Sequence, residues 1–287
     1  ETWKPEDVVR IRSNGLWRNI TREVWRAQLA CRKNLSLAAQ WKKLEPNWKT
    51  KIPVGLDPCV IPPEVLDKYL LAKAPVNFDD SISIASVIDS FDEQLGSNNW
   101  AVSSSRTTTG RPILADDPHR SHAVPSLRYI SHLNGPGINV IGAGEPALPG
   151  VSIGHNERIA FGLTIFPIDQ EDLYVYEKKR KGYRYQSDTE PFHIITESVL
   201  VKDSEPVTIE MKFTRHGPVI YETKRHAFAL RAAWLEPGMA PYFGSIEYMG
   251  ATNFRSFVAA LNRWGAPSEN QVYADIDGNI GYKPAGR

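Results

Sequence analysis

The sequence has 287 residues, 41 % of them hydrophobic, enough to bury one large core or two smaller ones. A formal net charge of +1 excludes a nucleic-acid surface built on charge excess, and no run of about 18 apolar residues exists to span a membrane. Cys31 and Cys59 leave two readings open, a disulfide in an oxidising compartment or two idle thiols, and a count of only two favours the thiols.

In chain order, residues 1–45 read as helical. Pro5 suits a first helical position, and Glu6 with Asp7 places negative charge at the positive end of the helix dipole. Ile20, Val24, Ala27 and Cys31 then recur at helical spacing as one apolar stripe. Residues 46–96 are broken by Pro46, Pro53, Pro58, Pro62, Pro63 and Pro75, and carry acidic residues toward their end. That texture suggests a linker or removable spacer, or else a meandering surface segment. From Ser97 onward short strands predominate: Val151–Ile153, Leu173–Tyr176, Val207–Met211 and the stretch holding Ile280 and Tyr282. A helix is expected at about 253–264, capped by Asn253, with Phe254, Phe257, Val258 and Leu261 on its apolar face. Strands with flanking helices predict an α+β domain.

One junction carries chemistry. Gly96-Ser97-Asn98-Asn99-Trp100 is followed by Asp116-Asp117-Pro118-His119. By itself the first run reads as a turn, since Gly, Ser and Asn are all turn formers. Pro149-Gly150-Val151-Ser152-Ile153-Gly154-His155-Asn156, Gly162-Leu163-Thr164 with Asp169 and Asp172, and Asn270-Gln271-Val272-Tyr273-Ala274-Asp275 leading to Gly278-Asn279-Ile280-Gly281-Tyr282 follow in order. Together these motifs resemble the penicillin acylase family from end to end.

The resemblance implies an N-terminal-nucleophile hydrolase, a four-layer αββα sandwich with Ser97 opening a central strand. It implies that 1–45 ends a small subunit, that 46–96 holds the spacer, and that 97–287 begins a large subunit that continues further. The chain is then an internal fragment whose targeting signal lies elsewhere, of a protein expected to be periplasmic or secreted. Cleavage of Gly96–Ser97 by the Ser97 hydroxyl would free an α-amine. Such an amine has an ordinary pKa of about 7.7–8.0 and can act as the base for its own hydroxyl, a role closed to an amide nitrogen. Asn270, through its side-chain amide, and Ile165, through its backbone N–H, are the implied oxyanion donors. Without the flanking motifs Asn270 would read as a loop residue.

His119 lies 22 residues after Ser97, where some branches of the family carry a histidine touching the nucleophile. Its alternative role is to fix the turn after Pro118. His155 and His216 sit in turn contexts and read as structural. Glu23, Asp169, Glu171 (through its carbonyl) and Asp172 match the family's structural Ca²⁺ site; the alternative is a solvated acidic loop. No organic cofactor is implied. Leu16, Trp17, Ile165 and Phe166 are the implied wall of the acyl pocket, which favours aromatic or aliphatic acyl groups.

The expected activity is hydrolysis of N-acylated small molecules of the penicillin type, by two subunits derived from one precursor. Deacylation of acyl-homoserine lactones or lipopeptides is the second enzyme reading. An inactive homologue acting as a binding protein is the alternative of another class. A conventional Ser-His-Asp hydrolase fits least, because Ser97 lacks a Gly-x-Ser-x-Gly elbow.

Overall fold

The computed structural model describes residues 2–14, 19–40, 50–73, 96–119, 124–146, 148–166, 168–239 and 243–287. The chain divides into two compact units that interleave in sequence. One comprises Glu1–Leu16, Phe91–Pro167 and Glu236–Arg287, the other Trp17–Ser90 and Ile168–Leu235. Helices and antiparallel sheets occur together, the α+β class expected.

The first unit opens with helix α1 (Pro5–Asn14), which begins at Pro5 as anticipated. Strands β1 (Ser97–Val102) and β2 (Ile113–Pro118) form a two-stranded antiparallel ribbon pairing Ser97 with Pro118 and Asn99 with Asp116. Strands β3 (Tyr129–Gly135), β4 (Ile138–Gly144), β5 (Ile153–Asn156), β6 (Ile159–Ile165), β14 (Glu269–Asp275) and β15 (Ile280–Ala285) make a six-stranded antiparallel sheet in the order β15-β14-β6-β5-β4-β3. Strand β5 starts at Ile153 rather than Val151: Gly150, at φ +93°, turns the chain there, and Val151 is buried in the core instead.

The two faces of this sheet have different tasks, because side chains alternate along a strand. Ile159, Phe161 and Leu163 of β6, with Tyr273 of β14, belong to a core that includes Tyr248, Phe257, Leu261 and Trp264. Those partners come from α4 (Gly244–Tyr248), α5 (Phe254–Leu261) and the turn after it. The α5 N-terminus is a capping box in which Asn253 and Ser256 bond each other's backbone N–H, which fixes where the predicted helix starts. Gly162, Thr164 and Asn270 point the other way, toward the ribbon, which packs on β6 and β14. Helices, sheet and ribbon thus stack as α, β, β.

Ser97 begins a strand, as expected, but β1 pairs only with β2 among the described residues rather than lying centrally in a sheet. The ribbon sits close because Gly162 has no side chain. A Cβ there would lie 2.6 Å from Asp116 Oδ1 and 2.9 Å from Asp116 Cβ, contacts that real side chains do not tolerate.

In the second unit, α2 (Ile20–Cys31) buries Ile20, Val24 and Leu29, close to the predicted stripe. Residues 50–73, expected within a linker or removable spacer, form short helical turns with buried side chains. Their prolines start 3-10 turns at Pro58–Val60 and Pro63–Leu66, which lead into α3 (Asp67–Lys73), and Ile61, Val65, Leu66, Tyr69 and Leu70 are buried. Residues 74–95 lie outside the described residues. Cys31 and Cys59 form a disulfide, against the favoured reading of two thiols. The count of two could not show that the end of α2 and a proline-initiated turn meet.

A seven-stranded antiparallel sheet completes this unit, in the order β10-β11-β12-β13-β7-β8-β9. Its strands are β7 (Glu171–Lys179), β8 (Gly182–Tyr185), β9 (Asp188–Glu190), β10 (His193–Val199), β11 (Val207–Thr214), β12 (Gly217–Glu222) and β13 (His226–Ala232). Helix α2 packs on β7, and α3 packs against β12.

Two measurements follow from this packing. The Cys31–Cys59 bridge closes a 28-residue separation, so Cys31→Ser/Cys59→Ser should lower unfolding stability by about 3–4 kcal/mol on the loop-closure argument, read by denaturant titration. Asp116, in β2, has both carboxylate oxygens buried without a hydrogen-bond partner among the described residues, and burial pushes its pKa up from 3.8 to about 7 against the opposing Arg128 charge. Between those values the folded chain holds a proton that the unfolded chain has lost, so the contribution of Asp116 to stability falls as pH rises from about 4 to about 7. Asp116→Asn should therefore raise Tm relative to wild type at pH 8, with the gain vanishing near pH 4.

Candidate active site

The geometry starts at the ribbon's open end. Ser97 Oγ donates to the Gly96 carbonyl at 2.7 Å, and the backbone N–H of His119 donates to the same oxygen at 3.1 Å. The ladder register that pairs Ser97 with Pro118 carries on to Gly96 and His119, so the peptide preceding Ser97 is held in line with the strand. A Cβ on Gly96 would stand 3.4 Å from His119 Nδ1, which puts the imidazole alongside the Gly96–Ser97 bond. His119 Nε2 lies 2.8 Å from Asp117 Oδ2 and 3.5 Å from Asn98 Nδ2. Asp117 thus gives the ring a carboxylate partner, an arrangement that orients an imidazole and fixes its tautomer.

Asn98 and Trp100 are exposed whereas Ser97 and Asn99 are half-buried, so Ser97 and Asn99 share the face turned to the sheet. On that face the Asn99 amide donates to the Asn270 backbone carbonyl at 3.1 Å. The Asn270 side chain is held at both ends: Tyr282 donates to its Oδ1 at 2.7 Å, and its Nδ2 donates to Thr164 Oγ1 at 3.2 Å. Tyr282 therefore turns the amide so that its N–H₂ end faces Thr164 and the end of β6. Sequence reasoning missed Asn99, Thr164 and Tyr282 as members of this network. Strand alternation from Ser97 was the available signal for Asn99.

Ile165 ends β6 opposite Glu269. Phe166 N–H donates to the Ser268 carbonyl at 3.3 Å, so by antiparallel alternation the Ile165 N–H points away from β14. On that side β5 pairs β6 only at residues 160 and 161, leaving the Ile165 N–H past the end of β5. Ile165 is 43 % exposed and Phe166 half-buried, an apolar pair at the strand end. Leu16 and Trp17, the other expected pocket residues, lie outside the described residues.

The expected metal ligands fall in the second unit. Glu171 is buried, and its carboxylate accepts from Ile20 N–H at 3.0 Å and Tyr69 OH at 2.6 Å, while its carbonyl accepts from Asn19 Nδ2 at 2.9 Å. The same Asn19 amide donates to Asp169 Oδ1 at 2.5 Å, and Asn19 Oδ1 accepts from the Gln170 and Glu171 N–H groups. Glu23 pairs with Arg26 at 2.6 Å. Burial raises the Glu23 pKa against the Arg26 charge, with Asp169 and Asp172 raising it further. Burial and then Asp172 raise that of Asp169.

Three carboxylates are thus within electrostatic reach of one another. Among the described residues, however, no three His, Cys, Asp or Glu side chains are placed to hold a metal ion. Asn19 holds one Asp169 oxygen and the Glu171 carbonyl, and Arg26 holds one Glu23 oxygen. His155 Nδ1 meets the Asn156 carbonyl, and His216 stacks on Tyr174 at 3.9 Å.

Comparison with known proteins converges on one family. The penicillin amidase family profile matches residues 1–287. Penicillin acylase 2 proenzyme from Pseudomonas sp. (strain SE83) is 32 % identical over 192 residues, covering 65 % of this chain and 25 % of that protein. Acyl-homoserine lactone acylase QuiP from Pseudomonas aeruginosa is 32 % identical over 128 residues, covering 43 % of this chain and 15 % of that protein. Among solved structures, thermostable penicillin G acylase from Alcaligenes faecalis matches with a TM-score of 0.59 at 26 % identity, over 66 % of this chain and 35 % of that chain. That likeness carries the α+β N-terminal-nucleophile hydrolase fold. The chain spans about a quarter or less of the length of the curated relatives it matches. On the full-length profile match and the ordered site motifs, this chain belongs to the penicillin amidase family.

Proposed function

We propose that this chain carries the nucleophile end of a self-cleaving acylase that hydrolyses the amide of N-acylated small molecules. The observation that carries the reading is the convergence of Ser97 Oγ and the His119 N–H on the Gly96 carbonyl, on a ribbon seated over Asn270. In the first reaction, rotation about the Ser97 side chain brings Oγ from the carbonyl oxygen to the carbonyl carbon. The C–N bond breaks as the ester C–O bond forms, the nitrogen takes up the hydroxyl proton, and water then hydrolyses the ester. Gly96 suits this step because it has no side chain to obstruct the attack.

The released amine accepts the Ser97 hydroxyl proton in the second reaction while Oγ attacks the substrate amide carbon. The C–N bond then breaks, the proton passes to the leaving amine, and an acyl-enzyme remains. The Asn270 amide and the Ile165 N–H stabilise the oxyanion; a donor of this kind contributes about 10²–10³ in kcat. Water releases the acid.

Phenylacetyl-type amides are the proposed substrates, supported by the apolar Ile165 and Phe166 and by the penicillin acylases among the relatives. Acyl-homoserine lactones are the second reading, supported by His119 beside the nucleophile and by relatives named for that activity. We further propose a periplasmic or secreted enzyme of two subunits, supported by the Cys31–Cys59 disulfide and by the cut position. A structural Ca²⁺ at Glu23, Asp169 and Asp172 is part of the proposal. It is supported by the mutual repulsion of these carboxylates and requires Arg26 to leave Glu23.

Expression of the full-length parent should yield a new N-terminus at Ser97, detected by intact mass and N-terminal sequencing, and Ser97→Ala should abolish it. An uncut parent would sink the mechanism. With p-nitroanilides, phenylacetyl turnover well above long-chain acyl turnover is expected, and the reverse order would favour the lactone reading. Adding Ca²⁺ should raise Tm in the parent and leave Glu23→Gln unchanged; equal shifts in both would remove calcium from the account.

A further inference from the structure

We propose that one end of the seven-stranded sheet docks on an anionic lipid bilayer, with the tip of the β10–β11 hairpin entering the headgroup region and two basic turns lying on the lipid phosphates. The inference goes beyond the acylase reading and does not depend on it. Because every pair in this sheet is antiparallel, three of its connections emerge at the same end: 200–206 between β10 and β11, 223–225 between β12 and β13, and 180–181 between β7 and β8. The last two lie side by side. Lys178 N–H donates to the Arg225 carbonyl at 2.8 Å, and Lys178 Nζ donates to the Thr223 carbonyl at 3.2 Å.

These two turns concentrate charge in a chain whose total is only +1. Arg180, Lys181, Lys224 and Arg225 are exposed, the turns hold no acidic residue, and among the described residues no carboxylate pairs with these four. The carboxylates flanking them in sequence are each matched by two other cations: Glu177 meets Lys179 at 2.6 Å and Arg184 at 3.6 Å, and Glu222 meets Lys178 at 3.0 Å and Lys212 at 2.7 Å. In the hairpin connection Asp203 and Glu205 stand against Lys202 and offset one charge of this excess, while Glu197 and Glu210 lie further back along the strands.

The hairpin at the same end supplies the second component. β10 and β11 pair along seven residues, whereas β11 pairs with β12 only at Phe213 and Thr214 among the described residues, so the hairpin extends as a two-stranded arm. Val199 stands opposite Val207, Ile209 shares their face, and Leu200 and Val201 continue into the connection; all five are exposed, Leu200 to 82 %. Such an arm cannot bury these side chains by itself, and an exposed apolar cluster marks a surface that meets something apolar. Basic turns alone would suit any polyanion, but a nucleic acid would leave Leu200 and Val201 in water. A bilayer takes both, with apolar side chains below the headgroups and cations at the phosphates.

The test is sedimentation of the full-length parent with vesicles of equal parts phosphatidylglycerol and phosphatidylcholine, beside vesicles of phosphatidylcholine alone. Binding to the anionic vesicles only is expected, weakening steeply as NaCl rises from about 0.1 M to about 0.5 M. Each basic residue at an anionic surface contributes about fivefold, so Arg180→Ser/Lys181→Ser/Lys224→Ser/Arg225→Ser should lower the partition coefficient at least about a hundredfold. Leu200→Ser/Val201→Ser should lower it at least about tenfold at unchanged charge. All six side chains are exposed, so melting curves of both variants should match that of the parent. A parent that ignores the anionic vesicles, or binds both vesicle types equally, would overturn the proposal. So would anionic binding that survives L200S/V201S unchanged, or retention on duplex DNA without retention on vesicles, which would reassign the basic turns to a polyanion.

Discussion

Everything described at the candidate site depends on how closely the β1–β2 ribbon lies on β6 and β14. That closeness is a steric matter decided at Gly162, where a single methyl group would meet Asp116. A two-stranded ribbon has little stability of its own. Its position therefore comes from what it rests on, and here the support is a sheet whose opposite face is filled by Phe161, Tyr248, Phe257 and Tyr273. The aromatic core makes the sheet rigid, the sheet fixes the ribbon, and the ribbon places Ser97 and the Gly96 carbonyl. The placement of an exposed strand end is supported by packing on the far side of the sheet.

The second unit solves a different problem with one asparagine. Asn19 precedes α2 and bonds the Asp169 carboxylate, the Glu171 carbonyl and the Gln170 and Glu171 N–H groups. Glu171 returns the interaction by accepting from Ile20 N–H at the start of α2, where four backbone donors lack helical partners and negative charge is favoured. A helix start and a strand start are thereby joined by reciprocal hydrogen bonds among buried groups. An acidic loop that reads from sequence as a place for a cation is largely engaged in this junction.

Much of this was legible in the residues. The apolar stripe of α2 and the Asn253 cap of α5 were readable because helical period and capping chemistry are local. Ser97 as a strand start and the nearness of His119 to it came from motifs in order. Other features were not legible, for identifiable reasons. The Cys31–Cys59 bridge depends on where a proline-initiated turn falls in space, which no pair count contains. The packing of 50–73 was obscured because its prolines break regular structure while its buried residues, Val65, Leu66, Tyr69 and Leu70, cluster over a short stretch. Asn99, Thr164 and Tyr282 went unnoticed because their meaning arises only when three strands bring them around one asparagine.

The placement of the disulfide has a consequence for the proposed two-chain product. Both cysteines precede residue 96, so a cut before Ser97 leaves this disulfide wholly within the first piece. What spans them within the second unit is α2 on β7, α3 against β12, and Glu171 shared by Ile20 and Tyr69. Separating the pieces would expose Ile20, Val24 and Leu66 to water and leave a buried carboxylate without its donors. The cut would thus turn an intramolecular core into an interface between two pieces.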